Sequence, residues 1–126
     1  MQGAMAFQKG LGCVHSLSHS LGGVDPRLHH GTLNAMFLPA VIRFNSAAES
    51  IQKEHRLQRM AHAMGLSSAS DLGEAIKDMP TGLAAMGVEE SWFDQIISGA
   101  MADHCHKTNP RIATVDEYRE MLRQAM

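Results

Sequence analysis

Apolar residues return every three or four positions along most of the chain, and no stretch alternates apolar and polar residues with β-branched enrichment for long. Period 3.6 buries one stripe of a helix and period 2 one face of a strand, so this pattern excludes a sheet and predicts an all-α bundle of five or six helices. Apolar residues make up 44% of the 126. One domain of that length buries roughly two-thirds of its unfolded surface. Six aromatic residues stand against ten methionines, so flexible aliphatic groups are expected to fill the core.

The spacing predicts a first helix over 4–21, with Gly10 and Gly12 inside it. Each glycine costs a helix interior about 1 kcal/mol relative to Ala, which suggests that another backbone or a ligand approaches closely there. Gly22 and Gly23 are expected to end it, and residues 24–27 to form a loop. A strongly apolar segment follows over 31–45, and Pro39 inside it should kink it or start a new helix. Helical spacing continues over 46–64. A serine-rich run at 67–70 is suited to N-capping a short helix over 71–79, ahead of Pro80. Residues 89–102 carry Trp92, Phe93, Ile96 and Ile97 toward one side. Thr114-Val115-Asp116-Glu117 reads as a capping box that opens the last helix.

Net charge is −2, with no local run of Lys or Arg. A nucleic-acid or anionic-lipid surface requires a basic face, so neither partner is expected. No apolar run is long enough to span a membrane, and no signal peptide is visible. Cys13 and Cys105 lie far apart and belong to no CxxC pair, which speaks against a disulfide framework or a cysteine zinc site. A reducing, cytoplasmic location is the default reading.

Eight histidines are many for this length, and four of them fall between His15 and His30. His15 and His19, four apart, share one helical face about one turn apart. His29 and His30 open the next segment after a tight loop. Imidazole suits Zn, Fe, Cu and Ni, although a histidine at helical spacing is more often a surface or core residue than a ligand. The pair lacks the HExxH pattern of zinc proteases. Asp25 lies between the two histidine pairs and could add a carboxylate, but an Asp followed by Pro is more commonly a turn former. His104-Cys105-His106 offers further donors, with alternating members pointing apart and mostly toward solvent.

The stretch from Gly10 to Gly23 (GLGCVHSLSHSLGG), followed by Leu28-His29-His30-Gly31-Thr32-Leu33-Asn34-Ala35, resembles the signature of iron-containing (group III) alcohol dehydrogenases. Phe37-Leu38-Pro39-Ala40-Val41 and Asn45 continue the likeness, and Asn109-Pro110-Arg111 with Thr114 and Glu117 is similar to the family's closing motif. The resemblance implies the all-α C-terminal domain of a two-domain NAD(P)-linked dehydrogenase. In that family Fe(II) or sometimes Zn(II) sits between the domains on one Asp and three His. It implies that His15 and His30 are the last two metal ligands, with His29 the alternative to His30. It places His19 near the nicotinamide, in proton transfer or orientation, and Phe7 and Cys105 near the substrate pocket.

The Asp, the first His ligand and the nucleotide-binding domain would precede Met1, so the chain alone is expected to be inactive. The sequence also departs from the family pattern at His29, where Pro is usual, and in a loop one residue longer before it. It looks about two helical turns short near 75–80. Implied substrates are small alcohols, aldehydes or hydroxy acids. The missing domain is the expected partner, along with a second copy of the chain through an exposed apolar face. A stand-alone metal-binding or interaction module is the competing reading, with Asp25, His29, His104 or His106 completing its site.

Overall fold

In the computed structural model, residues 11–77 and 82–126 are described. They are helical, with no strand among them, as the period predicts. Helix α1 (Cys13–Val24) runs through Gly22 and Gly23 instead of ending there. The cost of two glycines is small against continued burial of Leu21 and packing of Val24 on the core. It ends at Asp25, which leaves the helical region. The Asp25 carboxylate accepts from the Arg27 backbone N–H at 3.1 Å and from its guanidinium at 2.9 and 2.8 Å. Asp25 is thus the turn former. Helix α1 begins at Cys13, with Gly12 extended at its N-cap, so Gly12 lies ahead of the helix and not inside it as expected; residues 4–10 lie outside the described residues.

Helix α2 (His30–Asn45) keeps its helical course past Pro39, so the expected new helix does not form. An interior proline costs about 3 kcal/mol. Here Pro39 is fully buried, and Leu33, Phe37, Ala40 and Val41 of the same helix bury around it.

The single helix expected over 46–64 is two, α3 (Glu49–Lys53) and α4 (Arg56–Ala63). His55 separates them at φ 49, in the left-handed region. Histidine tolerates that region better than most residues. The break falls in the polar run Gln52 to Arg56, where no apolar side chain anchors a continuous helix, and α3 buries nothing. Helix α5 (Ala69–Lys77) begins within the serine run, two residues ahead of the expected Asp71, with Ser68 Oγ accepting from the Asp71 N–H at 3.2 Å. Gln58 ties the pair together, accepting from the Ala69 N–H at 2.9 Å and donating to the Ser67 carbonyl at 3.2 Å. Ala61 and Leu72 form a small separate core between α4 and α5.

A 3-10 turn (Glu90–Trp92) leads into α6 (Phe93–Ala102), and a second (His104–Thr108) follows it. Helix α7 (Val115–Ala125) begins with the predicted capping box at Thr114 and Glu117. Its C-terminal carbonyls are satisfied from elsewhere: Gly82 and Leu83 donate to Ala125, and Ala84 to Met126.

Helix α1 is the centre of the bundle, packed against both α2 and α6. Leu17, Leu21, Leu33, Phe37, Ile96, Tyr118 and Leu122 close the main core. At the α1–α6 crossing Gly99 meets Ser20. A Cβ on Gly99 would lie 2.3 Å from Ser20 Oγ, which itself donates to the Ile96 carbonyl at 2.7 Å. No helix among the described residues is long and apolar enough to cross a membrane.

Candidate metal centre

Helices α1 and α2 bring three imidazoles together. The His15 ring lies 5.7 Å from that of His19 and 5.4 Å from that of His30, and His19 stacks on His30 at 5.2 Å between centroids. The i, i+4 spacing supplies the first pair, and the Asp25 turn returns the chain so that the first residue of α2 joins it. The neighbouring His29 takes the N-cap position in an extended conformation, and its ring lies beside Gly31.

Asn34, one turn beyond His30, places its amide Nδ2 3.1 Å from His30 Nε2 and 3.5 Å from His15 Nε2. An amide nitrogen only donates, so with each ring protonated on Nδ1 both imidazoles turn an Nε2 lone pair toward one point. The Asn34 carbonyl oxygen is buried with no hydrogen-bond partner. Burial, followed by the neighbouring imidazoles His19 and His30, holds His15 below its usual value and favours the neutral ring. Neutral imidazole is the form that ligates a metal. These two donors therefore fit part of a divalent Fe or Zn site, with further ligands to come from elsewhere.

The third imidazole has a different partner. His19 Nδ1 lies 3.0 Å from Asp103 Oδ2, across 84 residues of chain. Asp103 is the N-cap of the second 3-10 turn, and its other oxygen accepts from the Cys105 N–H at 2.7 Å. Burial works to raise the Asp103 pKa, but the Cys105 N–H and His19 outweigh it and hold the carboxyl below its ordinary range. Sequence reasoning missed Asp103, since an acidic residue after a helix gives no sign of a partner so far away.

The His104-Cys105-His106 expectation needs correction. His104 is exposed, but Cys105 and His106 are both buried, and His106 pairs its Nδ1 with the Tyr118 hydroxyl at 2.9 Å. A 3-10 turn has three residues per turn, so two neighbours can both face the core. Burial, then Asp103, pushes the Cys105 thiol up to about 11. One donor atom each from His19, Asp103 and Cys105 lies within 4.8 Å of the others. Both cysteines are free and buried.

Beside His15 and Asn34 opens a cavity of about 620 Å³, whose wall also includes Leu11, Leu38, Asn45 and Asn109. Its size is that of a small-molecule pocket. Cys105 does not line it, and Phe7 lies outside the described residues.

The closing motif forms the support beneath this wall. Asn109 Oδ1 accepts from the Cys13 N–H at 3.1 Å, at the start of α1. Its Nδ2 donates to Asn45 Oδ1 and to the Arg111 carbonyl, each at 2.6 Å. A Cβ on Gly12 would lie 2.5 Å from Asn109 Oδ1, so the close approach foreseen at Gly12 is made by a side chain. Arg111 stacks over Phe44 at 4.2 Å and bonds to Glu117.

Compared with known proteins, all 126 residues match the model of the Fe-containing alcohol dehydrogenase family, C-terminal. The chain belongs to the iron-containing alcohol dehydrogenase family. It is 56% identical to a 4-hydroxybutyrate dehydrogenase of Cupriavidus necator, over the whole chain and 36% of that protein. It is 34% identical to an NAD-dependent methanol dehydrogenase of Bacillus methanolicus, again over its full length and 35% of the relative. A crystal structure of a 1,3-propanediol oxidoreductase superposes with TM-score 0.78 and 32% identity, covering 92% of this chain and 33% of that one. The chain thus spans about a third of the length of these family members. Its fold is that of the helical C-terminal domain. The match to the 4-hydroxybutyrate dehydrogenase runs over 136 positions, a surplus of ten over the chain's 126. The shortening expected near 75–80 falls partly outside the described residues.

Proposed function

We propose that this chain is the C-terminal part of an NAD(P)-linked alcohol dehydrogenase, supplying two of its metal ligands, and that the enzyme interconverts a small alcohol or hydroxy acid with its aldehyde. The convergence of His15, His19 and His30 from two helices carries the reading. The likeness to a 4-hydroxybutyrate dehydrogenase supports a hydroxy acid as substrate. His15 and His30 would hold Fe(II) or Zn(II) through Nε2, with the remaining ligands and the nicotinamide site on a nucleotide-binding domain. When bound, the metal supplies Lewis-acid stabilisation of an alkoxide, and the nicotinamide carries the hydride. His19, against His30 but tied to Asp103, is free to take up and pass on the alcohol proton, a task imidazole performs near neutral pH. Asn34 orients the two ligand rings before the site is complete. The 620 Å³ cavity beside His15 is large enough for a small alcohol or hydroxy acid. By itself the chain is inactive, because two histidines are half a ligand set. The reading places it in the cytoplasm and allows self-association through the face that a partner domain would cover.

The test is calorimetric titration with Fe(II) and Zn(II), on this chain and on a chimera joining it to the rest of the Cupriavidus relative. Weak binding by the chain, and tight binding by the chimera that the His15→Ala/His30→Ala double variant abolishes, is the expected result. Tight binding by a chimera lacking both histidines would sink the ligand assignment.

The second reading is a stand-alone metal-binding module, favoured by the close donor set of His19, Asp103 and Cys105. Tight one-to-one binding by the lone chain, lost on Cys105→Ala, would put that reading first.

A further inference from the structure

The oxygens of Asp103 have two separate jobs. Oδ1 caps the 3-10 turn by accepting from the Cys105 N–H at 2.7 Å. Oδ2 lies 3.0 Å from His19 Nδ1. The carboxyl side chain is 16% exposed and that of His19 37%, so the turn holds the carboxylate still while the imidazole is reachable from outside. The exposed His104 ring lies 3.7 Å from Oδ1 and 6.3 Å from the His19 ring, on the same side.

We propose that Asp103 is the positioning residue for His19, fixing its ring orientation and its tautomer for proton transfer. An ionised carboxylate only accepts hydrogen bonds. The proton of the neutral His19 ring therefore resides on Nδ1, and Nε2 is the nitrogen with a free lone pair. A general base has to present that lone pair in a fixed direction, and a carboxylate held in place behind an imidazole supplies both the direction and the tautomer. The tie also holds the His19 ring to the α6–3-10 junction, so that α1 and the segment after α6 together set its position. The inference rests on the dehydrogenase reading for the use of the proton, but not for the geometry.

Imidazole nitrogen NMR on the ¹⁵N-labelled 126-residue chain at a pH where His19 is neutral tests it directly. In the native chain the resonance of an unprotonated nitrogen is expected at Nε2 of His19 and that of a protonated one at Nδ1. In Asp103→Asn the single amide oxygen stays on the Cys105 N–H, leaving the amide NH₂ toward His19. Nδ1 then becomes the acceptor, and the two resonances exchange places. Native His19 protonated on Nε2 would overturn the proposal without recourse to any variant. So would an Asp103→Asn spectrum with the native tautomer. Metal binding plays no part in this readout, so failure of the metal titration and failure of the tautomer assignment are separate results.

Discussion

At the scale of single residues, Glu117 carries several obligations at once. One carboxylate oxygen accepts from the Thr114 N–H at 2.9 Å, closing the capping box, and the other bonds to Arg111. The Thr114 backbone N–H is the largest cause that lowers its pKa below the ordinary 4.5, against a smaller opposing effect of burial, with Thr114 and Arg111 adding to it. A depressed carboxyl contributes stability that is fully present above the unfolded value and is lost as pH falls through the folded value. Thermal unfolding of the native chain and of Glu117→Gln should therefore differ above about pH 5 and converge in acid. Parallel melting curves down to pH 3 would show that the carboxylate's charge contributes nothing. The capping box was legible because its logic is complete within four consecutive residues. The His15–His19 pair was legible in the same way, from spacing on one helix. His19 with Asp103, and Gly12 with Asn109, were not. Those contacts join residues 84 and 97 positions apart, and only the packed bundle brings them together.

At the scale of elements, the helices that carry the histidines are held by close crossings. Ser20 and Gly99 let α1 and α6 approach until a hydroxyl reaches the opposite backbone. Gly99→Ala pits a better helix former, a gain of about 1 kcal/mol, against an overlap that typically costs about 1–3 kcal/mol. At 2.3 Å the overlap is severe, and shifting Ser20 would break its bond to Ile96, so net destabilisation is expected in urea unfolding. Gly99→Ala at or above native stability would mean that the crossing has slack. The sequence pattern located most helices because burial drives their periodicity. It joined α3 and α4 into one because nothing in the spacing marks a left-handed residue at His55, and it ended α1 early because glycines inside a well-packed helix are tolerated.

At the scale of the whole molecule, stability is unevenly spread. The main core surrounds α1, whereas α4 and α5 close on each other through Ala61, Leu72 and a few partly buried neighbours. Regions with few buried apolar contacts open with less free energy than the global unfolding. Amide hydrogen exchange should thus show α4 and α5 losing protection well before α1 and α6, and equal protection in all four would refute a separate outlying unit. The family fold was legible from the histidine signature, while this division was not, because all the helices have similar periodicity and differ only in what they bury. The small core between α4 and α5 has a further consequence for inheritance. Lineages can lengthen, trim or rewrite that outlying pair while α1 and the start of α2, with their histidines, keep their setting, so sequence drift should accumulate there first.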